Sequence, residues 1–130
     1  MANLFGPTFQ GELDNLMQGF YRKAYTLSNA ECLDKLKEHA TTLAEVAACN
    51  PNVNIELAVG IRVALVEALQ EATREIHAQW IRAAALYFLS GQDQEPDFIS
   101  LTGFDDDTYV VNLCLDFCGL DQLKINKEDF

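Results

Sequence analysis

Proline is scarce in this 130-residue chain, with three in all, and none falls between Pro51 and Pro96. The middle of the chain is therefore open to long helices, because proline is the residue that most reliably stops them. Basic residues are also few: nine Lys and Arg stand against 20 Asp and Glu, for a formal charge of −11. A nucleic-acid backbone or an anionic bilayer is disfavoured as principal partner, since both require a concentrated positive surface. The apolar stretches are broken by Glu56, Gly60, Arg62, Glu67 and Arg82, so none reaches the roughly 18 uncharged residues of a spanning helix and no membrane span is expected. The opening MANLFGPTFQGELD has no basic start and meets acids before any apolar run, so no targeting segment is expected. Cys32, Cys49, Cys114 and Cys118 form no C-x-x-C pair and are too sparse for a disulfide scaffold, which points to reduced thiols and a cytoplasmic setting. A Gly-rich phosphate loop, a nucleophile elbow, a metalloprotease helix and a dinucleotide fingerprint are all missing, which weighs against the common enzyme classes.

What is present is core-forming material. Apolar residues make up 49% of the chain and charged residues 22%, which suits one compact domain over 1–130 and excludes intrinsic disorder. Apolar positions spaced by threes and fours predict a first helix over about 8–27, with Phe9, Leu13, Leu16, Met17, Phe20, Ala24 and Leu27 on one stripe. Ser28-Asn29-Ala30-Glu31 has the S-x-x-E form of a capping box and restarts the chain as a second helix, which Asn50-Pro51 ends. Ile55, Leu57, Val59, Ile61, Val63 and Leu65 alternate as a strand would, but the run continues unbroken into good helix formers and is read as helix. One helix over 54–89 would be about 54 Å long, against a radius of gyration of about 14 Å for a globule of this size. A break near Thr73 is therefore expected, followed by a stripe of Ile76, Trp80, Ala83, Ala84, Tyr87 and Phe88. Residues 90–107 read as an ordered acidic connector. Asp105 or Asp106 is a natural N-cap for a last helix carrying Tyr109, Val110, Leu113, Cys114 and Phe117 and stopping at Gly119. The tail from Leu120 frays or adds one turn. The fold expected is all-α: a compact bundle of four to six helices, antiparallel across short connections, with the acidic turn before the last major helix. Its core is expected to draw on Leu16, Phe20, Leu36, Leu43, Ile61, Leu65, Leu69, Trp80, Phe88, Phe104, Val110 and Leu113.

The stretch from Tyr87 to Asp107 carries Tyr87, Ser90, Asp93, Pro96, Asp97, Gly103, Asp106 and Asp107 in the order Y-x-x-S-P-x-D-x-I-P-D-x-x-P-x-x-G-x-x-D-D. In this respect the chain resembles the YkvA-like family of short domains over about 84–118. Gly91, Glu95 and Ser100 stand where that pattern has proline, an apolar residue and proline. The resemblance implies a helical-hairpin motif and no particular activity, because the family's biochemical role is not established.

Read as chemistry, a hairpin here gathers up to five carboxylates, Asp93, Asp97, Asp105, Asp106 and Asp107. Oxygen ligands of this kind suit Ca²⁺ or Mg²⁺, and Asp93, Asp97, Asp106 and Asp107 are the candidate metal ligands, although the spacing is not that of an EF-hand. The simpler reading has the same carboxylates bonding turn amides and capping the next helix. Cys114 and Cys118, four apart, are either two core residues or half of a zinc site with His39 or His77. A thiol nucleophile would need a base that neither histidine supplies in sequence. His77 beside Trp80 is either a proton-handling site or a half-exposed amphipathic face.

From Ala83 to Leu123 the chain has eight acids and no Lys or Arg. The function this favours is a small non-catalytic binding or regulatory protein meeting a basic partner through an acidic face over 93–121, with Asp93, Glu95, Asp97, Asp105, Asp106 and Asp107 as binding residues. The alternative is a cation-binding helical domain with an Asp-lined site, enzymatic or structural. Self-association through the apolar surface of the central helix is compatible with either.

Overall fold

The computed structural model describes residues 17–50, 53–90, 104–126 and 128, with the backbone alone at Asp105 and Asp106. Among them the fold is all-α. Helix α1 occupies 17–25, α2 Asn29–Cys49, α3 Ile55–Glu71, α4 Glu75–Ser90 and α5 Asp105–Phe117, followed by a single 3₁₀ turn at Asp121–Leu123. Residues 8–16 of the expected first helix, Leu16 included, and residues 91–103 of the connector lie outside the described residues.

Local chemistry sets most of the helix ends. At α2 the Ser28 hydroxyl accepts the Glu31 N–H at 3.1 Å while the Glu31 carboxylate accepts the Ser28 N–H at 3.0 Å, so the capping box closes in both directions. The reciprocal bonding to Ser28 holds the Glu31 carboxyl below its ordinary pKa. Asn50 ends α2 in an extended conformation imposed by the following proline. Asn54 Oδ1 accepts the Leu57 N–H at 3.2 Å and opens α3. The chain breaks at Ala72, which turns extended after Glu71 and leaves α4 to start at Glu75.

The end of α5 is a Schellman motif. Gly119 takes φ +74°, the Leu120 N–H reaches the Leu115 carbonyl at 2.9 Å, and the Gly119 N–H reaches that of Asp116 at 3.1 Å. The start of α5 departs from the sequence reading. Phe104, rather than Asp105 or Asp106, is the N-cap, and no side chain bonds the first turn from that position. The reason is packing: the Phe104 ring is fully buried, 5.9 Å from that of Phe88, so the helix begins where the ring is anchored. The Thr108 hydroxyl folds back onto the Phe104 carbonyl at 2.9 Å and reinforces that turn.

Helix α4 runs through the centre of the bundle. From Ala78 to Ala85 every residue is buried, as are Tyr87 and Phe88, the pattern of a helix surrounded on all sides. Ala78, Ala83, Ala84 and Ala85 keep it slim enough for its neighbours to close in. Phe20 meets Tyr87 and Tyr21 meets Trp80, so α1 packs across α4. Trp80 meets Phe117 while Phe88 meets Phe104, so α5 is antiparallel to α4. Asn29 pairs with Arg82 and His39 with Phe88, which makes α2 parallel to α4. Helix α3 buries Leu57, Ala58, Ile61, Ala64, Leu65, Ala68 and Leu69 at helical spacing, while Val59 and Val63 of the alternating run face outward. Of the expected core, Leu36, Leu43, Ile61, Leu65, Leu69, Trp80, Phe88, Phe104, Val110 and Leu113 are buried and Phe20 is half-buried. Each fully buried Leu, Ile or Phe contributes about 1.5–3 kcal/mol relative to exposure. Ile76, on the α4 stripe by spacing, and Tyr109, among the apolar residues of the last helix, are 44% and 48% exposed.

Candidate functional site

Of the carboxylates singled out from sequence, Asp93, Glu95 and Asp97 lie outside the described residues, and Asp105 and Asp106 form the first two positions of α5 with their side chains outside the description. Asp107, at the third position, is 2% exposed. An acid there meets the positive end of the helix dipole, but it faces inward and contributes nothing to a solvent-facing docking surface. That corrects its assignment as a surface binding residue. Among the described residues no three His, Cys, Asp or Glu side chains come close enough together to hold a metal ion.

The described part of the acidic face lies at the other end of α5. Asp116 receives the Lys124 ammonium, at 2.9 Å to Oδ1 and 3.0 Å to Oδ2. Asp121, in the 3₁₀ turn, has its carboxyl pushed above the ordinary aspartate range, first by a hydrogen bond shared with the Asp116 side chain, then by burial and by the Asp116 charge, with Lys124 opposing. Two carboxylates thus crowd one another at the surface around one lysine. The backbone that presents them is clamped: the Asn112 amide donates to the Ile125 carbonyl at 2.9 Å, and its oxygen accepts the Ile125 N–H at 2.8 Å.

The thiols and imidazoles are used in packing. Cys32, Cys114 and Cys118 are buried, and burial raises their pKa values, to about 11 for Cys32, to about 12 for Cys118, and further still for Cys114. With the thiolate disfavoured by burial, each of the three packs as a small apolar side chain. Cys118 donates weakly to the His77 carbonyl at 3.6 Å. The His77 ring stands edge-on to Phe117 at 5.9 Å, and desolvation first, then Arg74, lowers its pKa. Trp80 is buried between Tyr21, at 4.1 Å, and Phe117, at 6.0 Å, while Tyr21, Phe117 and His77 themselves are half-buried, so the half-exposed face holds at His77 and closes over Trp80.

Sequence reasoning missed the polar interior. Arg82, buried at the centre of α4, donates to the Ala24 carbonyl at 3.2 Å, to Asn29 Oδ1 at 2.8 Å and to Glu75 Oε2 at 2.7 Å. Three turns of chain, the end of α1, the start of α2 and the start of α4, are tied to one guanidinium. Gln79, one turn earlier, donates to the Tyr21 carbonyl at 2.9 Å. The signal was present in the run Gln79-Trp80-Ile81-Arg82-Ala83-Ala84-Ala85: a lone cation in an apolar stretch is retained where its donors are satisfied.

No family model, curated protein or solved structure matches the chain.

Proposed function

We propose that this chain is a small non-catalytic binding or regulatory protein that meets a basic partner through the carboxylates of its last third. The observation that carries the reading is the surface pair Asp116 and Asp121, which share a hydrogen bond beside the single cation Lys124. Such a pair is stabilised by any cation brought to it, and Lys124 supplies only one. Beginning at Gln122, one residue beyond Asp121, a groove of about 420 Å³ runs between α3 and the carboxyl-terminal segment. Val59 and Val63, 42% and 44% exposed, give it an apolar floor and Glu67 an acidic edge. A partner carrying Lys or Arg beside apolar side chains suits both parts of this surface. The occupation of Cys32, Cys114, Cys118 and the two histidines by packing supports a non-catalytic role.

The test is the affinity of the full chain for a Lys- and Arg-rich peptide containing apolar residues, followed by fluorescence anisotropy from low to high salt. Affinity is expected to fall steeply with salt, because exposed charges are screened within about 10 Å at 0.1 M. Asp116→Asn with Asp121→Asn is expected to weaken binding more than Asp34→Asn with Glu45→Gln, which removes the same charge from α2. Equal affinity at low and high salt, or equal effects of the two pairs, overturns the reading.

A further inference from the structure

Helices α2 and α3 pass one another where Ala40 and Ala44 face Ala58, and these side chains are too short to fill the space between the helices. A cavity of about 210 Å³ remains, open to solvent beside the exposed Ala44 and Val59 and lined also by Leu43, Ile55 and the ring of Phe88 from α4. Two polar side chains complete its wall, His39 from α2 and Arg62 from α3, both half-buried. His39 stands edge-on to Phe88 at 4.8 Å, and burial lowers its pKa, so at neutral pH the imidazole carries no charge.

Arg62 is the charge at this cavity. In a chain with 20 Asp and Glu, it makes no ion pair among the described residues. The cause lies in its own helix: one turn to either side stand Ala58, Val59, Leu65 and Val66, so no carboxylate comes within reach at the i±3 or i±4 positions where helix surface pairs form. A guanidinium presents paired N–H groups whose geometry matches a carboxylate, and here that carboxylate has to come from outside the helix.

We propose that this cavity binds an amphiphilic monocarboxylate, its tail among the alanines over Phe88 and its carboxylate on Arg62. A dry cavity of ~150 Å³ suffices for a benzene ring, so the space here suits a tail of about six to eight carbons. The alanines give the tail room, and Arg62 selects the charge of its head.

Isothermal titration of the full chain with sodium octanoate, supported by amide chemical-shift mapping, tests this. Saturable binding is expected, with shifts centred on Ala40, Ala44 and Ala58, while octylamine and 1-octanol bind at least about tenfold more weakly, the loss of one charge-assisted contact. Arg62→Gln, at a partly exposed position, is expected to keep the melting temperature and to lose about tenfold in octanoate affinity. Ala44→Leu, which fills the cavity, is expected to abolish binding, and a melting curve separates that from unfolding. Absence of saturable binding, equal affinity for octylamine, shifts centred elsewhere, or an unchanged affinity in Arg62→Gln each overturns the proposal.

Discussion

Replacing Arg82 with methionine keeps most of the side-chain volume and removes three hydrogen bonds, and its cost follows from where each partner sits. The Ala24 carbonyl, in a fully buried residue, retains the Leu27 N–H at 3.2 Å and loses the guanidinium, for about 1 kcal/mol. The part-buried Asn29 bond, with a charged donor at 2.8 Å, is worth about 1–1.5 kcal/mol. The Glu75 side chain is 71% exposed although it lies 2.7 Å from Arg82, so water replaces the lost partner and the pair contributes about 0–0.5 kcal/mol. The sum is about 2–3 kcal/mol, or a melting temperature lower by about 8–12 °C for a domain of this size. Urea unfolding followed by circular dichroism measures it, with Glu75→Gln as the control, expected within about 0.5 kcal/mol of the parent chain. Lysine at position 82 carries the charge but lacks the fork and should fall between the two. An Arg82→Met chain within about 0.5 kcal/mol of the parent, or a Glu75→Gln cost equal to it, would refute the view that the neutral oxygens of Ala24 and Asn29 carry the contribution.

Three further expectations follow from the same geometry. Cys49 is exposed while Cys32, Cys114 and Cys118 are buried, so a chromogenic disulfide reagent should titrate one thiol promptly and the other three only after denaturant is added; prompt reaction of a second thiol contradicts the packing. At Gly119 (φ +74°) an added Cβ meets open space, so Gly119→Ala should cost about 1 kcal/mol from backbone conformation alone, and a urea midpoint equal to that of the parent would remove the argument. His39 is held below its ordinary pKa of 6.5 by burial. The unfolded chain therefore takes up that proton first as pH falls, and the stability the neutral ring contributes is present above about 6.5 and lost below it. The stability of His39→Leu should accordingly decline less than that of the parent between pH 7.5 and 5; parallel declines would show that the ring is not desolvated.

How much of this was legible in the sequence depended on whether the signal was local. Ser28 with Glu31, Asn50 before Pro51, and Gly119 each act within a few residues, and each marks a helix end in the structure. The break between α3 and α4 was legible only as a length argument, since the chain from Ile55 to Ser90 offers no proline and a globule cannot hold one straight rod. Signals that depend on tertiary partners were not readable. Spacing put Ile76 on a stripe with Trp80 and Phe88, yet it is 44% exposed, because which arc of a helix is covered depends on where its neighbours lie. The Phe104 cap overrode two good aspartate caps because the ring's burial against Phe88 is worth more than a capping bond of about 1 kcal/mol. Asp107 was counted with its acidic neighbours on composition, and only the rotation of α5 shows that it faces inward. Arg82 read as an interruption of an apolar run, whereas its three acceptors come from segments up to 58 residues away.

Mapping where a basic peptide lands tests the acidic-surface reading most directly. In a ¹⁵N-labelled chain titrated with a Lys- and Arg-rich peptide, the amides of Asp116, Asp121 and the segment through Asn126 should shift together with Val59 and Val63, and the shifts should collapse when the salt is raised. Shifts scattered over α1 and α2, or a map that persists unchanged in high salt, would mean that the partner surface lies elsewhere.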